Sequence, residues 1–301
     1  IGFESTAHYA LNLELFLENA HHSFMEVNPV LIKEYKKSTT LRRTKTDSVD
    51  CESIARWLMT VEYKPHSKGF YHAYSLKSLT RLRDRLIRQR SFYLVKITNV
   101  LDHTFPEFKP FFNERLSKTA LYLLENYGSA EKMARMNSAS YDKLRCISRG
   151  KFSIQQFLRL KELAANTVGV NNSIFDLELN TLLTLYKSLS DEINTLETEI
   201  IKLIEEVHPH YMSIPGIGPI SSAVIYAEYG DISNFSNPGQ MLAFAGIEPG
   251  INDSGTESHG GRMVKHGSSQ LRYVLLNACL PLIRFDLTFA TYYEKKRAEG
   301  K

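Results

Sequence analysis

Ile1-Gly2-Phe3-Glu4, an apolar-periodic stretch over 7–20 and Ser23-Phe24-Met25-Glu26-Val27 decide the fold class of this chain. The first reads as the end of a strand. The second carries Leu11, Leu13, Leu15 and Phe16 at helical spacing. The third reads as a strand closed by Asn28-Pro29. Strand, helix, strand in so few residues is the signature of an α/β unit. The chain opens at Ile1, inside what reads as a buried strand and without an initiator Met, so the start of a domain is expected to be missing.

Working outward, Lys33, Lys36, Lys37, Arg42, Arg43 and Lys45 stand against only Glu34, which reads as a basic loop. Asp47 is expected to cap a helix running to about Met59, ahead of Val49, Ile54 and Leu58. A long helix is expected over 75–104. Leu76, Leu79, Leu86, Tyr93, Ile97 and Leu101 form its apolar stripe, and Phe105-Pro106 stops it. Its polar side carries Lys77, Arg81, Arg83, Arg85, Arg88, Arg90 and Lys96 against a single acid, Asp84. Residues 110–176 read as helical, with breaks near Gly128, Gly150 and Gly169. A second long helix is expected over 175–207. Its residues Leu182, Leu185, Leu189, Ile193, Leu196, Ile200, Leu203 and Val207 make a heptad-like seam, which suits a coiled coil or an amphipathic core helix. Pro209 closes it. The remainder is rich in Gly, Ser and Pro until helix resumes over 269–283.

Composition narrows the class. The chain has 301 residues, 43% hydrophobic and 23% charged, with a formal net charge of +4. That length holds two or three cores. Bulk charge alone does not argue for nucleic acid; the clustering of cations does. Cys51, Cys146 and Cys279 are isolated, which excludes a CxxC zinc knuckle and suits a reducing cytoplasm. No run approaches the roughly 18 apolar residues of a membrane span, and no signal peptide is evident.

Three constellations carry chemistry. Glu4 ends a strand, and Asp47 and Asp50 lie three apart on one helix face. Hard oxygen ligands of this kind suit magnesium and phosphoryl transfer, although acids near a helix start also simply favour its dipole. Ser213-Ile214-Pro215-Gly216-Ile217-Gly218-Pro219-Ile220, followed by Ala223 and Tyr226, reads as helix, tight turn, helix. In such a helix-hairpin-helix, amides near Gly216 and Gly218 can face a phosphate without reading sequence; a plain helix-to-helix turn is the alternative. Residues 246–272 read as a flexible polar stretch with Arg262, Lys265 and Arg272 behind Ser254. A serine among cations can attack a phosphodiester. Ser258, Ser268 and Ser269 are rivals on chemistry alone, and a phosphate-binding surface loop is the non-catalytic alternative.

Read together, Gly2-Phe3-Glu4-Ser5-Thr6-Ala7-His8-Tyr9, Val27-Asn28-Pro29, Lys45-Thr46-Asp47-Ser48-Val49-Asp50 and Phe105-Pro106-Glu107-Phe108 occur in order. Ile214-Pro215-Gly216-Ile217-Gly218-Pro219, Ala245-Gly246-Ile247-Glu248-Pro249, Ser254-Gly255 and Gly261-Arg262-Met263-Val264-Lys265-His266-Gly267 follow them. Across essentially its whole length the chain resembles the IS110 family of insertion-sequence transposases, relatives of the Piv/MooV invertases. The resemblance implies an α/β plus α architecture in three parts. These are an incomplete RuvC-like (RNase H fold) DEDD domain over 1–104 with a basic last helix, a helical coiled-coil region over 105–208, and a mainly helical transposase domain over 209–301. It implies that Glu4, Asp47 and Asp50 are the second, third and fourth acids and hold magnesium, and that Ser254 is the nucleophile forming a 5′-phosphoserine intermediate. It implies double-stranded DNA and a structured bridge RNA as partners, contacted through Lys45, Arg81, Arg85, Arg88, Gly216, Gly218, Arg262, Lys265 and Arg272. It further implies a homo-oligomer built as a dimer of dimers. The first acid of the family pattern precedes Glu4 and is absent here, so catalytic deficiency is expected. Two other readings stand beside it: a non-catalytic nucleic-acid-binding remnant, and a junction nuclease using metal and water alone.

Overall fold

The computed structural model describes residues 1–4, 9–39, 46–63, 70–113, 116–230, 232–254 and 257–300. The chain is mostly helical and divides into two compact units, Ile1–Phe70 and Tyr71–Lys301.

In the first unit, strand β1 (Gly2–Glu4), helix α1 (Ala10–Asn19) and strand β2 (Met25–Val27) form the expected unit. The strands pair in parallel, Glu4 opposite Val27. Parallel strands need a crossover between them, and α1 supplies it with Ala10, Glu14 and Leu17 buried. Helix α2 (Pro29–Thr39) replaces the first half of the expected basic loop. Asn28 and Pro29 start this helix rather than merely ending the strand. The Asn28 side-chain oxygen accepts from the Val30 N–H at 2.9 Å, and proline tolerates the first helical position because that N–H would be unpaired anyway. Helix α3 (Asp47–Leu58) is capped by Thr46, whose side chain accepts from the Val49 N–H. Asp47 is therefore the first helical residue and not the cap. Helix α3 packs on both β1 and α2.

The second unit is built on two 35-residue helices, α4 (Phe70–Thr104) and α10 (Ser173–Val207). Between them lie α5 (Phe108–Phe111), α6 (Lys118–Tyr127), α7 (Ala130–Ala134), α8 (Ser138–Ile147) and α9 (Ile154–Ala165). The breaks follow the sequence: Gly128 and Gly150 have positive φ, and Gly169 falls between α9 and α10. These helices enclose one core around Ile97, Leu101, Phe105, Phe108, Leu124 and Leu160. A second core joins Leu76 of α4, Ile200 and Ile204 of α10, and Ala223 and Ala227 of α11 (Pro219–Tyr229).

The seam expected on α10 is only partly the face that is buried. Ile193 and Ile200 are buried as expected, but Leu179, Leu183 and Ile204 are the other buried positions, while Leu185 and Val207 are exposed. The helix uses its apolar residues at both ends on cores within the unit.

Past α11 the chain forms α12 (Pro238–Ala245), an antiparallel hairpin of β3 (Pro249–Ser254) and β4 (Glu257–Met263), and helices α13 (Ser269–Phe285) and α14 (Leu287–Ala298). The stretch expected to be a flexible polar loop is thus largely a strand pair. Its glycines and polar residues conceal the alternation that marks a strand. Among the described residues no single helix is long and apolar enough to cross a membrane.

Candidate functional site

The first unit brings the strand-borne acid and the helix-borne acids onto adjoining elements. Glu4 ends β1, half-buried, and Asp47 and Asp50 occupy the first turn of α3. The lack of a side chain at Gly2 lets β1 lie close to α3: a Cβ there would meet Leu58 Cδ1 at 2.1 Å. Two negative charges in a first helical turn also suit the positive end of the helix dipole. The Asp50 carboxylate has a cation already, the Lys36 ammonium from α2, in a contact where both side chains are about three-quarters buried (24% and 26% exposed). Among the described residues, no group of three or more acids, histidines or cysteines stands close enough to hold a metal ion. The magnesium cage expected from Glu4, Asp47 and Asp50 is therefore not assembled, and the residues as placed do not fit that ion. Lys45 lies outside the described residues.

A different buried acid orders the second unit. Glu228 on α11 is 3% exposed. Arg81 on α4 grips it bidentately, Nε at 2.9 Å and Nη2 at 3.1 Å, with Lys77 Nζ at 3.9 Å. Two residues further along α4, Arg83 pairs with Glu197 of α10 at 2.6 Å, and Arg88 pairs with Asp84 at 2.8 Å. Gln270 of α13 donates to Asp84 at 3.3 Å. Of the seven cations expected on that face, Lys77, Arg81 and Arg83 thus reach acids on other helices, while Arg88 pairs within α4 itself. Arg85 is exposed, with no ion-pair partner among the described residues. An acid on a helix as apolar as α11 needs a buried cation. That was the signal for Glu228, and sequence reasoning passed over it.

The expected helix-hairpin-helix is reduced on its first side. The chain between α10 and α11 makes only a short 3-10 turn, His210–Ser213. Gly216 has φ +92°, and a Cβ there would stand 3.0 Å from the Ala278 carbonyl and 3.0 Å from Pro281 Cβ on α13. Glycine is required at this position by backbone conformation and close packing. Gly218 precedes α11 as its cap residue, with Pro219 at the first helical position.

The serine segment is anchored at its root. Gly267 lies so close to the end of α12 that a Cβ would fall 2.1 Å from the Phe244 carbonyl oxygen. The Ser268 N–H donates to that same oxygen at 3.0 Å, and the Val264 N–H donates to the Glu248 carbonyl at 2.9 Å. Arg272 reaches back from α13 and donates to the Ala245 carbonyl at 3.2 Å, capping the last turn of α12. Ser254 ends β3 and pairs with Glu257, the first residue of β4. Arg262 and Lys265 are exposed on the outgoing side. Of the rival serines, Ser268 caps α13, accepting from the Leu271 N–H at 3.2 Å.

Comparison with known proteins gives a consistent pattern. A family model for DEDD transposases of IS110 type matches residues 1–106. A second, described as transposase IS116/IS110/IS902 family, matches residues 209–294. The IS110 43.6 kDa protein of Streptomyces coelicolor is 27% identical over 215 residues, 68% of this chain and 52% of that protein. The transposase for insertion sequence element IS1111A of Coxiella burnetii is 25% identical over 260 residues, 86% of this chain and 59% of its own length. The IS900 42 kDa protein of Mycobacterium paratuberculosis is 28% identical over 276 residues, 85% and 66%. The chain therefore spans between about half and two thirds of the length of these relatives.

Proposed function

This chain belongs to the IS116/IS110/IS902 family of transposases, and on that premise we propose that it cuts and rejoins double-stranded DNA with Ser254 as the nucleophile. The observation that carries the reading is the anchored pair of strands β3 and β4, in which Ser254 pairs with Glu257. A rigid root matters because attack on phosphorus demands a fixed line of approach. In the proposed step, Ser254 Oγ bonds to the scissile phosphorus as its proton passes by way of solvent to the departing 3′ oxygen. The bond to the 3′ oxygen breaks, giving a 5′-phosphoserine and a free 3′-hydroxyl. Rejoining reverses this: a 3′-hydroxyl attacks the phosphoserine and Oγ departs. Arg262 and Lys265 are exposed on the outgoing side of the hairpin and are proposed to balance the growing phosphoryl charge. Arg272, engaged with Ala245, positions the segment.

The N-terminal unit is proposed to be RuvC-like, with Glu4, Asp47 and Asp50 as its acids. The family reading assigns magnesium there as the activator of phosphodiester chemistry. The Lys36 ammonium on Asp50 stands against that carboxylate in place of an ion. A structured guide RNA, which would carry sequence specificity by base pairing, and an assembly of two dimers, with a coiled coil formed from α10, complete the proposal from the resemblance. The three-part division at 104 and 208 belongs to the same proposal. Arg85, with Arg88, and the amides around Gly216 and Gly218 are the proposed nucleic-acid contacts outside the hairpin.

One observation favours a second reading, a nucleic-acid-binding protein without strand transfer: among the described residues the acids do not gather into a metal-holding group. A single experiment separates the two. The protein is incubated with nicked duplexes bearing the element ends, denatured, and examined for a covalent protein–DNA adduct mapped by mass spectrometry. An adduct at Ser254, lost in Ser254→Ala while duplex binding persists, is the expected result. Adduct formation that survives Ser254→Ala, or occurs at Ser258, overturns the nucleophile.

A further inference from the structure

Helices α13 and α14 carry a run of uncovered apolar side chains that neither the fold nor the proposed chemistry uses. Helix α13 packs on one side, with Leu271 and Ala278 buried. Its other side shows Tyr273, Leu276 and Leu280, whose spacing of three and four places them on one face. Helix α14 has no buried residue. Phe285, Phe289 and Tyr293 recur there every four residues, all exposed, and Leu287 at the elbow is 83% exposed. The two helices meet at 102° about Asp286. The Asp286 carboxylate fixes that elbow by accepting from the Thr288 and Phe289 N–H groups at 2.9 and 3.2 Å. An angle so near a right angle keeps the two arms of one copy from covering each other. Between Tyr273 and Tyr293 the only charges are Arg284 and Asp286, of opposite sign.

We infer that this elbow docks a second copy of the chain, with α14 of each copy lying on the Tyr273–Leu280 face of the other about a two-fold axis. This rests on the proposal of a homo-oligomer and names a surface for it outside α10, separate from the coiled coil. With Tyr292, the eight side chains of the two arms are between 44% and 83% exposed, and at about 200 Å² each they present on the order of 900 Å². The largest apolar patch of a typical monomer is about 300–600 Å², whereas a standard interface takes about 800 Å² from each partner. A two-fold contact sets one patch against itself, so a patch with net charge would repel its copy; this one is neutral. Nucleic acid fits it poorly. Phosphates need cations among the stacking rings, and Arg284 is the one cation in the run, lying over the Phe285 ring at 5.4 Å from its centroid. Leu280 and Leu287, 75% and 83% exposed, offer a base no ring to stack on and suit an aliphatic partner surface.

The test uses the full chain without DNA. Sedimentation over a concentration series gives the mass, and timed alkylation by N-ethylmaleimide gives the accessibility of the thiols, which are exposed in a single copy. Cys279 adjoins Leu280 and stands three residues from Leu276, so docking covers it. In wild type the mass is expected to rise with concentration, and Cys279 to react at least about tenfold more slowly in the concentrated sample than in the dilute one. Cys146 is expected to keep its rate. Leu280→Glu and Phe289→Lys change exposed positions; each is expected to keep the melting temperature, lower the mass and remove the protection. Leu280→Met is expected to retain both. Mixing Leu280→Glu with Phe289→Lys is expected to restore association, because one arm contact then pairs opposite charges and the other is wild type. A wild type that stays monomeric, with Cys279 reactive throughout, overturns the inference and the assembly proposal together, and that measurement needs no variant. Association that survives both charged variants overturns the inference alone, as does a mixture no more associated than its components. Protection of Cys279 that appears only with added oligonucleotide, or only with vesicles of anionic phospholipid, also overturns it and assigns the elbow to that partner. None of these readouts uses Ser254, so the adduct experiment stands or falls separately.

Discussion

Arg81→Met tests whether the basic helix α4 is chiefly a strut or chiefly a nucleic-acid surface. The substitution keeps most of the aliphatic stem and removes the guanidinium from Glu228. That carboxylate is 3% exposed, and its remaining cation, Lys77, stands 3.9 Å away. Removing one partner of a fully buried pair costs about 3–5 kcal/mol, because the other charge is left buried. Here Lys77 stays nearby and the Arg81 side chain is half exposed, which lowers the expectation to about 2–4 kcal/mol. For a unit of this size that is a fall in melting temperature of roughly 5–12 °C. Glu228→Gln leaves Arg81 free to turn to water and is expected to cost less, about 1–2 kcal/mol. The double variant is expected to be less destabilised than the sum by at least about 1 kcal/mol. Urea unfolding of the four proteins gives the cycle, and duplex binding across a salt series gives the comparison. A coupling within about 0.3 kcal/mol of zero, joined to a salt slope for Arg81→Met that falls by about one unit, would refute the strut and make Arg81 a phosphate contact.

Other substitutions test the remaining features. Gly267→Ala places a Cβ 2.1 Å from a carbonyl oxygen of the α12 end. Because that neighbour is backbone, about 2–4 kcal/mol of stability should be lost, with faster amide exchange across the hairpin; an unchanged melt refutes the anchoring. Glu14 is buried on α1 near Glu26 and Glu18, and burial first, then those charges, push its pKa from 4.5 to about 7. The folded state then holds the proton more tightly than the unfolded state. The stability that this proton contributes to the first unit is present in full below about 4.5 and is lost as pH rises through about 7. Glu14→Gln should remove that pH dependence and raise stability at pH 8, and a pH profile identical to wild type contradicts the assignment. Arg85→Ala and Arg262→Ala should each weaken duplex binding and reduce the salt slope by about one unit, without moving the melting temperature by more than about 2 °C. A lower melting temperature with an unchanged slope would make them structural.

What sequence alone determined is local in origin. Helical periodicity placed α4 and α10 within a few residues, because a long helix must bury an apolar stripe over many turns, and the cap signal beside Asp47 placed α3. The alternation at the N-terminus gave the α/β unit, and the ordered motifs of both ends gave the family. Caps were less legible: Thr46 and Asp47 are adjacent and both can cap, and only the backbone entering α3 decides which does. The Gly-rich hairpin was hidden because its strands lack the β-branched alternation that marks a half-buried sheet. Tertiary structure decided the partners of the charges. A lysine that reads as part of a basic run, Lys36, lies on a carboxylate because α2 packs on α3. An arginine that reads as nucleic-acid-facing, Arg81, is directed to Glu228, which lies 147 residues away in the chain. Charge sequence gives the number of cations; which of them remain free is fixed only when helices pack and buried acids require counter-ions. Pairings between residues so far apart in sequence leave no periodic trace in it.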